Sequence, residues 1–360
     1  MTVSILNINM GTIAMDYIKF LPVDNGDSIL IRSGHKTVMT DLHYRTSSDD
    51  HYDIKPEIEE ACPSGHLHYF IVTHTDKDHV RGFDEIFHRG KPENKPNDKI
   101  LVDEIVCTQY VIDLTNPSDE AKDLVYEIRR RNKLNESDRK KDGNRLLVVN
   151  AGDIIKVNGR LKGHVLSPSK MELDAADPKG EQDDAINNTS IVMQWVYQDG
   201  EESSITKIVL GGDAMQEVWE RLNSDEPKES LKWHISTAHH HCSLTSFAKK
   251  DEDGEYQDNP NAIKALDNPI GSNAFVVSSS RAVKRSKPNP PHYKAKNKWL
   301  TFIGNKKDNF FCTATHIDGE PGAVTFELTK KGVKKAPVNS STQVTRESAG
   351  LNRTTKYGVI

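Results

Sequence analysis

The sequence lacks the features that mark secreted, membrane-spanning and nucleic-acid-coating proteins. Its 360 residues include four cysteines, which stand far apart without a Cys-x-x-Cys pair, so we expect neither a disulfide framework nor a cysteine-based zinc site. No apolar run approaches the roughly 18 residues of a membrane helix, and the N-terminus lacks the basic and apolar blocks of a signal peptide. The net charge of -5 argues against a protein that coats nucleic acid through its overall charge. We therefore expect a cytoplasmic protein without a membrane partner.

What is present indicates one layered α/β domain. Hydrophobic residues make up 35% of the chain and charged residues 28%, which is ordinary for a globular protein. We expect a single domain over residues 1–335, with insertions near 89–145 and 171–186, followed by a polar tail over 336–360. Short β-branched runs bounded by turn residues predict strands at 28–32, 36–40, 69–73, 105–108, 145–150, 190–196, 207–211, 233–237 and 274–278. Helices are predicted at 56–62, 83–88, 118–132 and 214–222.

Four of the predicted strands end in aspartate or histidine. The run KTVMT ends at Asp41, YFIVT ends at His74, KIVLGG ends at Asp213, and WHISTA ends at three consecutive histidines, residues 239–241. In α/β sheets, ligand sites gather just beyond the carboxyl ends of the strands. One such ending means little, but four predict a single site assembled from distant parts of the sequence.

The densest of these endings is the segment from Thr73 to His79. It holds two histidines and two aspartates within six residues, directly after a predicted strand. Imidazole and carboxylate together suit zinc, manganese, iron or nickel, whereas an all-oxygen set would suit magnesium or calcium. The alternative is an ordinary polar loop, but such a loop seldom needs two histidines at these positions. The segment therefore predicts a transition-metal site.

The spacing His74-x-Asp76-x-Asp78-His79 resembles the HxHxDH signature of the metallo-β-lactamase superfamily. Aspartate at the second ligand position is typical of the ComEC-like branch, which includes the nuclease-like domain of DNA-uptake proteins. Six further segments resemble motifs of that branch and occur in the expected order, at residues 23–31, 40–41, 187–192, 210–214, 240–246 and 318–326. The resemblance covers roughly residues 17–330 and implies a four-layer αββα sandwich of the metallo-β-lactamase type, with the site at one edge of its two sheets.

The resemblance also implies which residues bind metal. His74 and Asp76 would bind one divalent ion. Asp78 and His79 would bind a second, and Asp213 would bridge the two. Zinc and manganese are the expected metals, present as one ion or two.

The remaining ligand and its supports are implied in the same way. One of His240 or His241 would complete the second metal site, and His241 is favoured because it stands two residues before a serine. His240 would then support the site or donate a proton. Asp41 would hold a ligand imidazole without touching metal. Where many members have a third histidine, this chain has Asn187 and Asn188, whose amide oxygens are weaker ligands for such metals and would support the site.

Two metal ions in one site indicate hydrolysis, because together they lower the pKa of a shared water to near neutrality. The leading hypothesis is a phosphodiesterase, a nuclease that cleaves DNA or RNA through a metal-activated hydroxide. Asp78 would be catalytic, and His240 or His292 would protonate the leaving oxygen. A small-molecule hydrolase for a cyclic nucleotide, phosphoester or lactone stays open, because the same machinery serves several substrates. A non-catalytic, metal-stabilised binding module also stays open as a third hypothesis.

Asp27 is expected only to brace a turn.

The best substrate clue is the segment over residues 281–307, which holds nine basic residues and no acidic one. Basic side chains pair with phosphates, and aromatic rings such as Tyr293 and Trp299 stack on bases. The alternative is a solvated basic loop. The residues predicted to bind nucleic acid are Arg281, Lys284, Arg285, Lys294, Lys296 and Lys298.

Overall fold

A computed structural model describes the fold over residues 15–45, 52–176, 178, 183–200, 205–285 and 289–338. Its strands are β1 Tyr17–Phe20, β2 Ile29–Ser33, β3 Lys36–Thr40, β4 His66–Ile71, β5 Leu101–Cys107, β6 Arg145–Val148, β7 Ile154–Lys156, β8 Leu161–Ser167, β9 Val192–Tyr197, β10 Thr206–Leu210, β11 Ile235–Thr237, β12 Ala248–Lys250, β13 Tyr256–Asp258, β14 Phe275–Ser278, β15 Phe310–Cys312, β16 Val324–Thr329 and β17 Gly332–Lys335. Its helices are α1 Lys55–Ala61, α2 Lys77–Val80, α3 Phe83–Ile86, α4 Gln109–Asp113, α5 Lys122–Asn132, α6 Glu136–Arg139, α7 Lys170–Ala175, α8 Asp183–Asn188, α9 Gln216–Asp225, α10 Lys228–Leu231, α11 His239–Cys242, α12 Pro260–Leu266 and α13 Tyr293–Phe302. Most of the predicted tail and part of the predicted insertion at 171–186 lie outside the described residues.

The strands form two large sheets and one small hairpin. The first sheet has the order β17-β16-β1-β2-β3-β4-β5-β6, the second has the order β15-β14-β11-β10-β9-β8-β7, and β12 pairs with β13. The strands from β3 to β6 run parallel to one another, and so do β10, β11, β14 and β15. Parallel neighbours end at the same edge of their sheet. The residues that follow β3 and β4, and those that follow β10 and β11, are therefore brought to one edge of each sheet.

The two sheets pack face to face, with helices on both outer sides. Between the sheets lie apolar side chains such as Ile31 of β2 and Trp195 of β9. Side chains alternate along a strand, so Leu30 points the other way and packs among residues of α1 and α5. Trp219 of α9 and Trp299 of α13 cover the outer side of the second sheet. This is the four-layer αββα sandwich that the sequence predicts, and the fold class is confirmed.

All nine predicted strands and all four predicted helices have a counterpart, and all but the strand at 36–40 have shifted ends. Eight further strands have no counterpart among those nine, namely β1, β7, β8, β12, β13, β15, β16 and β17. The helix α5 begins at Lys122 rather than Ser118, because residues 118–121 form a hydrogen-bonded turn. The strand β8 has no predicted counterpart, since Gly163 in its middle suggests a break. An added Cβ at this position would lie 2.9 Å from the Trp195 ring and 2.4 Å from the end of the Met193 side chain, so a larger residue would displace both. None of the helices in the described part of the chain has the length and apolar character that a membrane crossing requires.

Candidate metal centre

The segment after β4 lies beside the second sheet. The Thr73 carbonyl accepts the backbone N–H of Ile191, just before β9, at 3.0 Å, which joins the two sheets at this edge. The His74 side chain is fully buried, and its Nε2 atom lies 3.6 Å from Asp76 Oδ2 and 3.8 Å from Asp213 Oδ2. These three side chains form one half of a polar cluster.

The other half of the cluster surrounds the second oxygen of Asp213. The Nε2 atoms of His79 and His241 lie 3.1 Å apart, and they lie 3.2 and 3.3 Å from Asp213 Oδ1. Asp78 Oδ2 lies 3.4 Å from His241 Nε2. The structure therefore brings together all six residues that the sequence predicts as metal ligands, although they come from three separate segments of the chain.

Two glycines shape the turn that presents Asp213 after β10. At Gly211 an added Cβ would lie 2.3 Å from the ring of His239, so a larger residue would displace that ring. Gly212 has a positive φ of 48°, which glycine adopts at little cost. Its carbonyl accepts the backbone N–H of His240 at 3.0 Å, which ties this turn to the histidines after β11.

The electrostatics of the cluster favour positive charge at its centre. Burial alone would raise the pKa of the Asp213 carboxyl, but the surrounding imidazoles, that of His241 above all, hold this pKa well below its usual range. Burial lowers the pKa of an imidazole, yet the Asp213 carboxylate, together with Asp41 at His79 and Asp78 at His241, outweighs burial and raises the pKa values of both histidines well above their usual range. A bound cation would supply the positive charge that these carboxylates favour.

The donor set fits a divalent transition-metal ion. His74 Nε2 and Asp213 Oδ1 are buried without a hydrogen-bond partner among the described residues, and an unpaired buried polar atom is costly. The spacings of 3.1, 3.2 and 3.3 Å around Asp213 Oδ1 also fit. Ligand atoms about 2.0–2.1 Å from a tetrahedral ion stand about 3.3 Å from one another. The residues present are therefore able to hold zinc or a similar ion.

Asp27 is a member of this cluster that the sequence did not indicate. One carboxylate oxygen of Asp27 lies within 4.8 Å of the facing atoms of His79, Asp213 and His241, and all four residues are buried. Its backbone N–H donates to the Asp78 carbonyl at 3.2 Å, so the turn before β2 folds over α2. Burial raises the pKa of the Asp27 carboxyl. The available signal is the pair Gly26-Asp27, which resembles Gly212-Asp213, although Asp27 precedes a strand and Asp213 follows one.

The three histidines after β11 have three different surroundings. His239 lies behind the cluster, where its ring stacks on Trp219 with the ring centres 4.4 Å apart, and burial lowers its pKa to about 3. His240 Nε2 lies 3.5 Å from Asp213 Oδ2, whereas His241 faces the other oxygen of that carboxylate. Consecutive rings reach both oxygens because His240 and His241 have left-handed backbone angles, with φ of 50° and 52°.

Three predicted site residues are not joined to the cluster by any hydrogen bond or ion pair among the described residues. His292 stands at the N-terminus of α13, where its Nδ1 atom accepts the backbone N–H of Lys294 at 3.1 Å. Asn187 and Asn188 have side-chain oxygens that are buried without a hydrogen-bond partner in the described part of the chain. The catalytic role of His292 and the supporting roles of the two asparagines stay predictions.

The basic segment lies partly at the rim of the cluster. The exposed Arg281 donates its backbone N–H to Asn25 Oδ1 at 3.0 Å. Gly26, which follows Asn25, donates its backbone N–H to His241 Nδ1 at 3.1 Å. Lys284 and Arg285 are also exposed. These three basic residues therefore belong to a loop that adjoins the metal-ligand candidates.

The lysines of α13 have mixed surroundings. Lys294 is exposed. Lys298 Nζ lies 2.5 Å from Asp258 Oδ2, and Lys296 Nζ lies 4.9 Å from the centre of the Phe310 ring. Two of the three lysines are therefore engaged within the protein.

Solved structures of similar fold include several metal-dependent enzymes. The metallo-beta-lactamase fold protein YhfI from Bacillus subtilis is 11% identical over 85% of this chain and 98% of its own, with a TM-score of 0.43. Igni18, a metallo hydrolase from the archaeon Ignicoccus hospitalis, is 10% identical over 87% of this chain and 100% of its own, with a TM-score of 0.41. CmlA, a diiron beta-hydroxylase from Streptomyces venezuelae, is 10% identical over 87% of this chain, which spans 54% of the CmlA chain, with a TM-score of 0.44.

Identities this low limit the likeness to the fold. No protein-family model matches the chain, and no curated protein matches it. The ComEC-like branch that the sequence motifs suggest therefore stays a prediction.

Proposed function

We propose that the protein is a metal-dependent hydrolase of the metallo-β-lactamase superfamily. The observation that carries the proposal is the position of the Asp213 carboxylate between two pairs of imidazoles. Its Oδ1 atom faces His79 and His241, and its Oδ2 atom faces His74 and His240. A carboxylate with this arrangement serves two neighbouring cation positions at once.

The proposed ligands are His74, Asp76, Asp78, His79, Asp213 and His241. When zinc or manganese ions are bound there, they lower the pKa of a bound water and offset the charge that develops on a leaving oxygen. The side chains of Asp76 and Asp78 are 31% and 26% exposed, whereas that of His79 is fully buried. Substrate and water therefore reach the cluster from the side of these two aspartates.

The proposed reaction is phosphodiester hydrolysis, with DNA or RNA as the substrate. Its support is the exposed basic loop that begins at Arg281 and is joined through Asn25 to the turn beside His241. Basic side chains pair with the phosphates of a polynucleotide, and those of this loop adjoin the proposed metal site.

A small phosphoester is the second candidate substrate. Lys298 is paired with Asp258, and Lys296 lies over the Phe310 ring, so fewer basic side chains are available to bind phosphate than the sequence suggests. A few such side chains suffice for one phosphate group but offer less to a long polynucleotide.

The test combines elemental analysis of the purified protein with cleavage assays. The substrates are labelled single- and double-stranded DNA and RNA, and bis(p-nitrophenyl) phosphate as a small diester, each with added Mn²⁺ or Zn²⁺. We expect bound metal, and cleavage that Asp78→Ala abolishes while the circular dichroism spectrum is unchanged. The fully exposed Asp119→Asn serves as the control.

Each outcome of this test decides one point. Cleavage of the small diester alone would favour the second candidate. A fully metallated Asp78→Ala protein that remains active would refute the role of Asp78. A wild-type protein that binds neither metal would refute the proposal as a whole.

A further inference from the structure

We infer that His240 is a metal ligand, which takes the place of the histidine that this chain lacks in the region of Asn187 and Asn188. The inference rests on the proposed metal-dependent function. His240 Nε2 lies 3.5 Å from Asp213 Oδ2, the same oxygen that lies 3.8 Å from His74 Nε2. The His240 side chain is 16% exposed, so most of its ring is enclosed at the cluster.

All four imidazoles of the cluster share one arrangement. Each has its Nε2 atom near the Asp213 carboxylate and its Nδ1 atom near an oxygen on the opposite side. For His74 this oxygen is the Thr73 hydroxyl at 3.0 Å, and for His79 it is the Asp41 carboxylate at 2.7 Å. For His240 it is the Thr245 hydroxyl at 3.0 Å, and for His241 it is the Ser279 carbonyl at 3.1 Å. A metal-bound imidazole donates its other N–H to such an oxygen, which fixes the orientation of the ring. His240 has the same support as His74 and His79, whereas His241 Nδ1 also accepts the backbone N–H of Gly26.

The hydroxyl behind His240 is suited to accept that proton. Thr245 Oγ1 lies 2.7 Å from Ser243 Oγ, so the threonine hydroxyl can donate to the serine oxygen. Its own lone pairs are then available to the Nδ1–H group of His240. In that arrangement the Nε2 atom of His240 would be unprotonated and would face the cluster, which is the form that binds a metal ion.

The backbone at His240 is shaped for this position. His240, His241 and Cys242 have consecutive positive φ angles of 50°, 52° and 66°. Non-glycine residues seldom adopt such angles, and they persist where the surrounding structure imposes them, often at functional sites. Here the turn sets the His240 and His241 rings at 84° to each other, with their centres 6.1 Å apart, one near each oxygen of Asp213.

With His240 included, the two halves of the cluster match in the residues proposed as ligands, and Asp27 lies beside the second half. Each half then offers two imidazoles, one aspartate of its own and one oxygen of the shared carboxylate. The first half is His74, Asp76, His240 and Asp213 Oδ2, and the second is His79, Asp78, His241 and Asp213 Oδ1. Without His240, the first half has one imidazole, and among the described residues neither Asn187 nor Asn188 has a hydrogen bond or ion pair with it.

The test counts Mn²⁺ and Zn²⁺ ions per chain by elemental analysis and measures their affinities by titration calorimetry. His240→Gly removes the ring and suits the positive φ of this position. We expect two ions per wild-type chain and one per His240→Gly chain, with the second restored by added imidazole, which fills the space of the deleted ring. The exposed Asp119→Asn is the control and should keep two ions. Asn188→Ala should also keep two, because the inference gives the place of the missing ligand to His240 and not to the asparagine.

Several results would overturn the inference while leaving the proposed function intact. These are a wild-type chain that holds one ion, a His240→Gly chain that holds two ions with wild-type affinity, and an Asn188→Ala chain that loses one. A wild-type chain that binds no ion would instead refute the proposed function.

A second variant covers the case in which circular dichroism shows that His240→Gly does not fold. Thr245→Val removes the oxygen behind the His240 ring and keeps the volume of the side chain. We expect the affinity for one ion to fall about 10–100-fold while that for the other is unchanged, and Thr245→Ser to restore it. Unchanged affinity for both ions in Thr245→Val would overturn the inference.

Discussion

Asp41 Oδ2 lies 2.7 Å from the Nδ1 atom of His79, and neither side chain has any exposed surface. The same carboxylate accepts the backbone N–H of Thr73 at 2.8 Å and its hydroxyl at 2.5 Å. One buried aspartate thus links the segment after β4 to the helix α2 and fixes the ring of His79. This is the geometry that the sequence predicts for Asp41, behind an imidazole and away from the centre of the cluster.

Replacement of Asp41 by asparagine should weaken metal binding while the fold is kept. Asparagine has the same size and tolerates the positive φ of 56° at this position, but its neutral amide holds the His79 ring less firmly. We expect about a 10–100-fold loss of Mn²⁺ or Zn²⁺ affinity in titration calorimetry. The exposed Asp119→Asn should bind metal as the wild type does. Wild-type affinity in Asp41→Asn would mean that other contacts suffice to orient His79.

Gly26 should tolerate no side chain, because its turn passes close to α2. An added Cβ would lie 2.4 Å from His43 Nδ1 and 2.7 Å from the Asp78 carbonyl oxygen. We expect Gly26→Ala to lower the free energy of unfolding by about 1–3 kcal/mol and to weaken metal binding by displacing Asp78. Thermal unfolding and calorimetry measure the two effects. Gly159→Ala is the control, since nothing lies within 4 Å of its added Cβ, and equal stability of the two variants would contradict this close approach.

The strand ends were the part of the site that the sequence could predict. Apolar runs that stop at Asp41, His74 and Asp213 define buried strands. Parallel pairing of β3 and β4 brings the first two ends to one edge of the first sheet, and the packing of the second sheet against it places Asp213 beside His79. The order of motifs supplied the rest of the layered fold. Both kinds of signal are local in sequence, which is why a single sequence suffices to read them.

Contacts between distant segments could not be predicted in this way. Asp27 joins the cluster because its backbone N–H donates to the Asp78 carbonyl, a contact across 51 residues that no local pattern encodes. The basic segment was open to interpretation as a nucleic-acid cradle or a solvated loop, but residues 293–302 form a helix. Its buried residues Ala295 and Trp299 stand four apart, a helical spacing that the surrounding lysines obscure.

The basic segment allows a prediction that separates polymer binding from chemistry. Lys284→Gln and Lys294→Gln each remove an exposed charge that has no ion pair among the described residues. Each should therefore weaken binding to a long polynucleotide and reduce the slope of log affinity against log salt by about 1. Lys298→Gln is the matched control, because Lys298 is paired with Asp258. Hydrolysis of a small diester should be unchanged in all three. Equal losses on polymer and small diester would argue against a nucleic-acid surface.

We expect His68, far from the proposed metal site, to stabilise the fold in a way that is lost in acid. Its Nδ1 atom accepts the backbone N–H of Thr37 at 3.1 Å, and burial, with Lys36 and His35 nearby, lowers its pKa to about 4. The unfolded histidine has a pKa of about 6.5, so between these values the unfolded chain binds the extra proton. The stabilisation is therefore complete above pH 6.5 and is lost progressively as the pH falls towards 4.

A variant that cannot titrate isolates this contribution. His68→Asn keeps an acceptor near the position of Nδ1 but takes up no proton. Because the wild type loses stability through His68 between pH 7 and pH 4, its unfolding midpoint should fall more steeply over that range than that of His68→Asn. Thermal unfolding of both proteins in a chelating buffer gives the two curves free of metal effects. Parallel curves would show that another group takes up the proton and that His68 does not contribute in this way.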